Sequence, residues 1–277
     1  MPRKKTKVAI IYDFDKTLAT TDMQNFSFIQ KVGLEIPEFW GKTGEFCKAN
    51  NADKILGYMY MMIKCAKEAN VPLTKKFLNE CGKDVKFFPG VEGWFDRINE
   101  YGRRKDIVVE HYICSSGNRE IIDGTTIAKC FKKIFGCEFA YDPETKEAIW
   151  AKSAINYTQK TQYVFRISKG ALNVNDDEKV NQKTKKKRIE YKNMIYIGDG
   201  ITDVPCMEII KNAGGHSIAI ISSSNKEVTN KLKADKRVQF TMKPDYREDS
   251  KLDKMVKKII DMIEDQSYLD YYDERKN

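Results

Sequence analysis

The stretch VAIIYDFDKT, residues 8–17, places two aspartates directly after a short apolar run. A run of this kind that stops at polar residues is typical of a strand buried on both faces of a sheet. Successive side chains of a strand point to opposite faces, so Asp13 and Asp15 would diverge unless the chain turns after Tyr12. We therefore expect a strand over 8–12 and a turn that brings both carboxylates to one place.

Further apolar runs of strand length follow, and most are separated by segments with helical periodicity. They lie at 107–114, 194–197, 217–221 and, more weakly, 238–242. Strands that alternate with helices predict an α/β fold with a doubly wound parallel sheet, in which ligands bind at the carboxyl ends of the strands. A final amphipathic pattern over 252–263 predicts a helix that packs on this sheet.

The segment 19–85 shows helical patterns and no strand. Asn51 is a candidate N-cap for one helix and Thr74 for the next, because both side chains can accept a hydrogen bond from a first-turn amide. The Met and Tyr residues at 58–63 are expected to pack in the core. We interpret 19–85 as a helical cap domain inserted after the first strand, with 1–18 and 86–277 forming one discontinuous α/β core.

Composition argues against several classes of protein. No apolar run approaches the roughly 20 residues of a membrane helix, and Asp13 interrupts the first run too early for a signal peptide, so we expect a cytoplasmic protein without a membrane partner. The seven cysteines form no C-x-x-C pair, which leaves zinc and redox sites unsupported. The net charge of +9 comes largely from scattered lysines, and the densest run, 183–188, lacks interleaved aromatics. We therefore expect no nucleic-acid partner; the oligomeric state is left open.

Polar residues that could take part in catalysis or ligand binding follow three of the predicted strands. The second strand runs into Ser115 and Ser116 before Gly117, a small-residue turn that offers hydroxyls and free amides to an anion. The late strand ends in the sequence GDGITD, residues 198–203, whose glycines let Asp199 and Asp203 approach a cation closely. All of these residues belong at one edge of one sheet.

Crowded aspartates repel one another, so such a site requires a cation. Oxygen ligands without nearby Cys or His indicate Mg²⁺. A negatively charged phosphate ester would also need a lysine near the site. Lys160, at the start of a predicted helix, is the first candidate, and Lys169 is the second.

These motifs, taken together and in this order, resemble those of the haloacid dehalogenase-like hydrolases. DFDKT at 13–17 is similar to the first motif of that superfamily, Ser115 to the second, Lys160 to the third and GDGITD at 198–203 to the fourth. The helical insert and the sequence FFPGV at 87–91 resemble the branch that contains phosphoserine phosphatase, whose insert is a mobile cap.

The resemblance implies a hydrolase that forms an aspartyl-phosphate on Asp13, with Asp15 as general acid and then general base. It implies Mg²⁺ bound by Asp13, the Asp15 carbonyl group and Asp199, with Asp203 as a ligand or just outside the ligand shell. Phosphoryl oxygens would be held by Ser115, Ser116, Lys160 and backbone amides, including that of Phe14. A small phosphorylated metabolite is the implied substrate.

Some alternatives stay open at this point. A phosphotransferase or phosphomutase would use the same core, and a catalytically silent phosphate-binding protein would keep the fold. Asp22 stands where an acidic residue would contact the substrate amine in the phosphoserine branch, yet it could equally cap the first helix of the insert. The segment 18–96 contains no arginine to bind a substrate carboxylate, and a lysine such as Lys54 would substitute less well, so L-phosphoserine is not expected to be the best substrate.

Overall fold

The structure is a computed structural model that describes residues 5–183, 187–222, 230 and 232–273. Its centre is a seven-stranded sheet in the order β4-β3-β2-β1-β5-β6-β7, parallel except for β4. The strands are β1 Thr6–Tyr12, β2 Ile107–Asn118, β3 Lys133–Tyr141, β4 Ala148–Ser153, β5 Met194–Gly198, β6 His216–Ile220 and β7 Phe240–Met242. The predicted α/β class with a largely parallel sheet is confirmed.

Strand β1 lies in the middle of the sheet. Val8 to Tyr12 are all fully buried, and because alternate side chains leave opposite faces, the sheet is covered on both sides here. Tyr12 is level with Ile113 of β2 and with Ile197 of β5. The residues that follow these three positions, Asp13, Cys114 and Gly198, therefore lie side by side at one edge.

Helices occupy much of the remaining chain. They are α1 Phe28–Lys31, α2 Ile36–Asn50, α3 Lys54–Glu68, α4 Lys75–Gly82, α5 Val91–Arg104, α6 Arg119–Asp123, α7 Tyr157–Lys169, α8 Asp177–Asn181, α9 Val204–Asn212 and α10 Lys251–Asp273. The predicted C-terminal helix is confirmed as α10, which contacts α5 and β1. Within the described residues, no helix is both long enough and apolar enough to span a membrane.

The segment 19–85 contains α1 to α4 and a 3-10 turn at Met23–Phe26. Thr74 caps α4 as predicted, since its hydroxyl accepts a hydrogen bond from Phe77 N at 3.1 Å. The prediction for Asn51 was wrong. Asp53 caps α3 by accepting from the amides of Ile55 and Leu56, while Asn51 has a left-handed φ of 50° and ends α2.

The antiparallel pair β3–β4 extends the sheet beyond the predicted strands. Beyond its own pairing, the hairpin reaches the helical segment: Ala148 N donates to Leu73 O at 2.8 Å, and Glu147 forms an antiparallel bridge with Thr74. The sheet is thus joined by backbone hydrogen bonds to the segment between α3 and α4.

The polar stretch 172–192, which contains the Lys-rich run, is anchored to the sheet through Arg188. Residues 184–186 of the Lys-rich run 183–188 lie outside the described residues. Arg188 Nη1 donates to Glu110 Oε2 at 2.7 Å, and Lys132 and Tyr112 also donate to this buried carboxylate. Burial raises the pKa of Glu110, but these hydrogen bonds outweigh burial and bring the pKa down to about 2.

We predict that Glu110→Gln lowers the free energy of unfolding by about 2 kcal/mol at pH 7, because charge-assisted hydrogen bonds to a buried group are lost. The folded pKa lies below the ordinary value of 4.5, so the contribution of this carboxylate is full above about pH 4.5 and disappears as the pH falls towards 2. Urea denaturation at several pH values measures both effects. Glu100→Gln, at an exposed ion-paired site, should change stability by less than about 0.5 kcal/mol; equal losses in the two variants would contradict the assignment.

Candidate active site

The carboxyl ends of β1, β2 and β5 surround a cavity of about 400 Å³. Asp13 follows β1 directly, and its amide donates to Ile197 O at 2.9 Å, which continues the pairing of β1 with β5. The cavity is lined by Asp13, Asp15, Lys16, Asp22, Ser115, Ser116, Asp199, Gly200, Ile201 and Thr202. The structure thus brings most of the predicted site residues to one place.

Lys160 lies in the first turn of α7 with its side chain fully buried. Its Nζ is 3.1 Å from Asp13 Oδ2 and 2.7 Å from Asp203 Oδ1. Burial by itself would lower the pKa of Lys160, but the charges of Asp13 and Asp203 raise it well above the ordinary value, so this side chain is an ammonium ion. The second candidate, Lys169, donates instead to the carbonyl groups of Val180 and Gln182.

Asp203 is held by the protein at both of its carboxylate oxygens. Oδ1 accepts from Tyr196 OH at 2.7 Å as well as from Lys160, and Oδ2 accepts from Gly200 N at 3.2 Å. Gly198 is required for this arrangement, because a Cβ atom there would lie 2.6 Å from Asp203 Cγ. Asp203 is fully buried and does not line the cavity. It contacts the site through Lys160, whose ammonium group it helps to hold beside Asp13.

The donor set at this edge fits a divalent cation. One carboxylate oxygen from each of Asp13, Asp199 and Asp203 lies within 4.8 Å of the others. Burial, followed by the charge of Asp203, raises the pKa of Asp13 to about 7, and burial followed by the charge of Asp13 raises that of Asp199 well above its ordinary value. Three carboxylate oxygens this close repel one another, and a hard cation would offset their charge.

The predicted turn after β1 lies at Lys16, which adopts a left-handed φ of 56°. Phe14 O accepts from the amides of Leu18 and Ala19 and closes the turn. Asp15 Oδ1 accepts from Met23 N at 2.8 Å, and burial, followed by the charges of Asp22 and Asp13, raises the pKa of Asp15 well above its ordinary range. The turn therefore brings Asp15 into the same cavity as Asp13.

The predicted phosphate-binding residues Phe14, Ser115 and Ser116 differ in the hydrogen bonds that they already make within the protein. Ser115 is fully buried and its Oγ accepts from Gly117 N at 3.0 Å. The Ser116 hydroxyl is buried and, among the described residues, has no hydrogen-bond partner. The Phe14 amide donates to Asp13 Oδ1 at 2.7 Å, so it orients this carboxylate. Both serines lie inside β2, which continues to Asn118 with an irregular register after Cys114, whereas the sequence placed them after the strand.

Lys16 is a cavity residue that the sequence analysis missed. Its Nζ lies 2.8 Å and 2.7 Å from the two carboxylate oxygens of Asp22, and this ion pair stands at one wall of the cavity. Asp22 makes no side-chain cap on the helical turn that follows it, so the alternative interpretation of Asp22 as a helix cap was wrong. The position of Lys16 inside the DFDKT motif was the available signal.

Comparison with known proteins identifies relatives of the chain. The family model of the haloacid dehalogenase-like hydrolases matches residues 10–208. An uncharacterised protein from Borreliella burgdorferi is 29% identical over 279 aligned positions, which cover 91% of this chain and 96% of the relative.

Solved structures share the fold. A HAD family hydrolase from Salmonella enterica serovar Typhi has a TM-score of 0.58 at 15% identity, covering 87% of this chain and 68% of its own. A substrate-bound phosphoserine phosphatase has a TM-score of 0.54 at 16% identity, covering 88% and 97%. A probable phosphoserine phosphatase from Vibrio cholerae reaches 0.59 at 12% identity, covering 95% and 67%.

We predict that Lys160→Met destabilises the fold by about 3 kcal/mol in EDTA, because two buried carboxylates lose their only buried counterion among the described residues. A divalent cation such as Mg²⁺ should recover part of the loss by supplying positive charge. Urea denaturation with and without the cation measures this. Lys169→Met, on the same helix but outside the cavity, is the control; a loss in that variant equal to that in Lys160→Met would contradict the prediction.

Proposed function

The chain belongs to the haloacid dehalogenase-like hydrolases, and we propose that it is a Mg²⁺-dependent phosphate monoester hydrolase that works through a phosphorylated Asp13. The observation that carries the proposal is the pair Asp13 and Asp15 at one cavity wall, with the Lys160 ammonium 3.1 Å from Asp13. A nucleophile, a proton carrier and a positive charge then surround one small space.

In the first half-reaction, an Asp13 carboxylate oxygen attacks phosphorus and the bond from phosphorus to the ester oxygen breaks. Asp15 gives its proton to the departing oxygen, so the leaving group departs as an alcohol. Phe14 N and Lys160 both contact the Asp13 carboxylate, which supports a fixed angle of attack. The product of this step is a phospho-aspartate on Asp13 and an ionised Asp15.

In the second half-reaction, a water molecule attacks phosphorus and Asp15 takes one of its protons. The bond between Asp13 and phosphorus breaks, orthophosphate leaves, and both aspartates return to their starting states. The free Ser116 hydroxyl is suited to donate to a phosphoryl oxygen in both steps. Ser115 is assigned to the same anion site, because its Oγ accepts from Gly117 N and so shapes the backbone of the turn that faces the anion.

Magnesium is the proposed cofactor because all candidate ligands are oxygen atoms. Asp13, Asp199 and the backbone carbonyl group of Asp15 would hold it, and Asp203 would complete the acidic shell from behind. Bound Mg²⁺ would offset the charge of the aspartates and of the phosphoryl group. The substrate is a small phosphorylated molecule, and 19–85 would serve as the cap over a core formed by 1–18 and 86–277.

The proposed function predicts hydrolysis of p-nitrophenyl phosphate that requires Mg²⁺ and stops in EDTA. Asp13→Asn should lower kcat by at least about 10³-fold, since an amide is a poor nucleophile, and Asp15→Asn by about 10²-fold. Release of nitrophenolate measures all three. Asp265→Asn, on the exposed face of α10, is the matched control. Full activity in metal-stripped protein or in Asp13→Asn would overturn the mechanism.

Substrate choice is assigned to Asp22 because it lines the cavity without capping a helix. We predict that Asp22→Ala changes kcat/KM more than tenfold for the best substrate of a phosphorylated-metabolite panel, while p-nitrophenyl phosphate changes less than threefold. L-Phosphoserine should not be the best substrate, since the insert contains no arginine to bind its carboxylate. If both substrates change together, Asp22 is structural and this assignment is wrong.

A further inference from the structure

Tyr58 connects the helical insert to the irregular end of β2 that carries the cavity serines. Ser115 Oγ accepts from Gly117 N there, and we call this stretch of β2 the 115–117 turn. It lies on α3, is 5% exposed, and its hydroxyl donates to the backbone carbonyl oxygen of Ser116 at 2.8 Å. The thiol of Cys137 on β3 approaches the same carbonyl oxygen at 3.2 Å. Ser116 is therefore held from two sides by residues that do not line the cavity.

The position of the Tyr58 hydroxyl is set by contacts inside the insert. The ring of Trp40 packs edge-on against Tyr58 with centroids 6.2 Å apart. Trp40 Nε1 donates to Asn25 Oδ1 at 2.8 Å, and Asn25 Nδ2 donates to Thr21 Oγ1 at 2.9 Å. A chain of contacts thus runs from the first residues of the insert to the Ser116 carbonyl group.

The turn that receives this hydrogen bond needs external support. Pairing between β2 and β3 is irregular between Cys114 and Asn118, so regular strand hydrogen bonds do not fix the backbone of Ser116. The neighbouring Gly117 is tightly enclosed, because a Cβ atom there would lie 2.1 Å from Met23 Cε and 2.9 Å from Asp15 Oδ2. A small shift of this turn would move the Ser116 hydroxyl and disturb the surroundings of Asp15.

We propose that Tyr58 is a positioning residue: its hydrogen bond to the Ser116 carbonyl oxygen holds the 115–117 turn so that the Ser116 hydroxyl points at the phosphoryl group. The inference rests on the proposed function, because it assigns Ser116 to phosphate binding. It also makes the insert part of the phosphate site, since displacement of α3 withdraws the Tyr58 hydroxyl and releases the turn.

The test compares Tyr58→Phe with the wild type in the presence of Mg²⁺. Removal of one buried hydrogen bond from the turn should raise the dissociation constant of orthophosphate and its inhibition constant against p-nitrophenyl phosphate about five- to tenfold. Isothermal titration calorimetry gives the first value and inhibition kinetics the second. Tyr60→Phe is the matched control, because Tyr60 lies on the same helix, is 46% exposed and stacks on Phe46; its orthophosphate affinity should match the wild type.

A double-mutant cycle with Ser116→Ala separates positioning from simple loss of stability. If Tyr58 acts through the Ser116 hydroxyl, Tyr58→Phe should change orthophosphate affinity less than twofold in the Ser116→Ala background. Equal effects in both backgrounds, or a lower melting temperature with unchanged orthophosphate affinity, would overturn the inference. If the wild type hydrolyses p-nitrophenyl phosphate but Tyr58→Phe binds orthophosphate normally, only the role of Tyr58 fails. A wild type that neither turns over the ester nor binds orthophosphate would overturn the proposed function as well.

Discussion

Repulsion among buried carboxylates sets the requirements that the rest of the structure meets. Oxygen atoms of Asp13, Asp199 and Asp203 lie within 4.8 Å of one another beyond the carboxyl ends of β1 and β5, where low polarity makes each charge costly. Lys160, the Tyr196 hydroxyl and the Gly200 amide together satisfy Asp203. The same Lys160 ammonium lies 3.1 Å from Asp13 Oδ2, and the Phe14 amide donates to Asp13 Oδ1 at 2.7 Å, so one buried cation serves two of the three carboxylates.

The strand ends could be located from sequence because parallel strands place their carboxyl ends at one edge. That rule alone put Asp13, Ser115 and Asp199 together. The need for positive charge beside a phosphate site indicated a lysine and left Lys160 and Lys169 as candidates, and the choice between them depended on burial, which nothing in a helical lysine signals. Lys16 and Tyr58 were missed as site-related residues: a left-handed lysine and a hydrogen bond to a distant carbonyl group depend on tertiary contacts. Asn51 and Asp53 are both good caps, and the choice depended on where α2 ends.

The hairpin β3–β4 was missed for a different physical reason. Lys133, Gly136 and Glu138 interrupt the apolar pattern of β3. The fold tolerates two of them because Glu138 is paired with Arg119 and Lys152, and because Gly136 packs closely against Arg119 and the Gly117 carbonyl group. A strand whose charged residues are paired and whose glycine admits another backbone does not show the alternation expected of a half-buried strand. The hairpin β3–β4 links the sheet to residues 73–74, and this tertiary contact leaves no pattern in the sequence of β3.

These contacts restrict how the cavity can widen. On the hairpin side, the segment 19–85 is joined to β4 by the Ala148–Leu73 backbone hydrogen bond, and α4 meets the end of α6 so closely that a Cβ atom on Gly124 would lie 1.9 Å from Asn79 O. Separating these surfaces would break hydrogen bonds and expose buried groups together. At the wall formed by Lys16 and Asp22, by contrast, the two side chains are linked by a partly exposed ion pair, and such pairs contribute little to stability. Asp22 is followed by Met23, whose amide donates to Asp15 Oδ1 at 2.8 Å, and by Gln24, whose side chain donates to Asn118 Oδ1 at 2.9 Å. Widening the cavity at this wall would therefore also break contacts to Asp15 and to the end of β2.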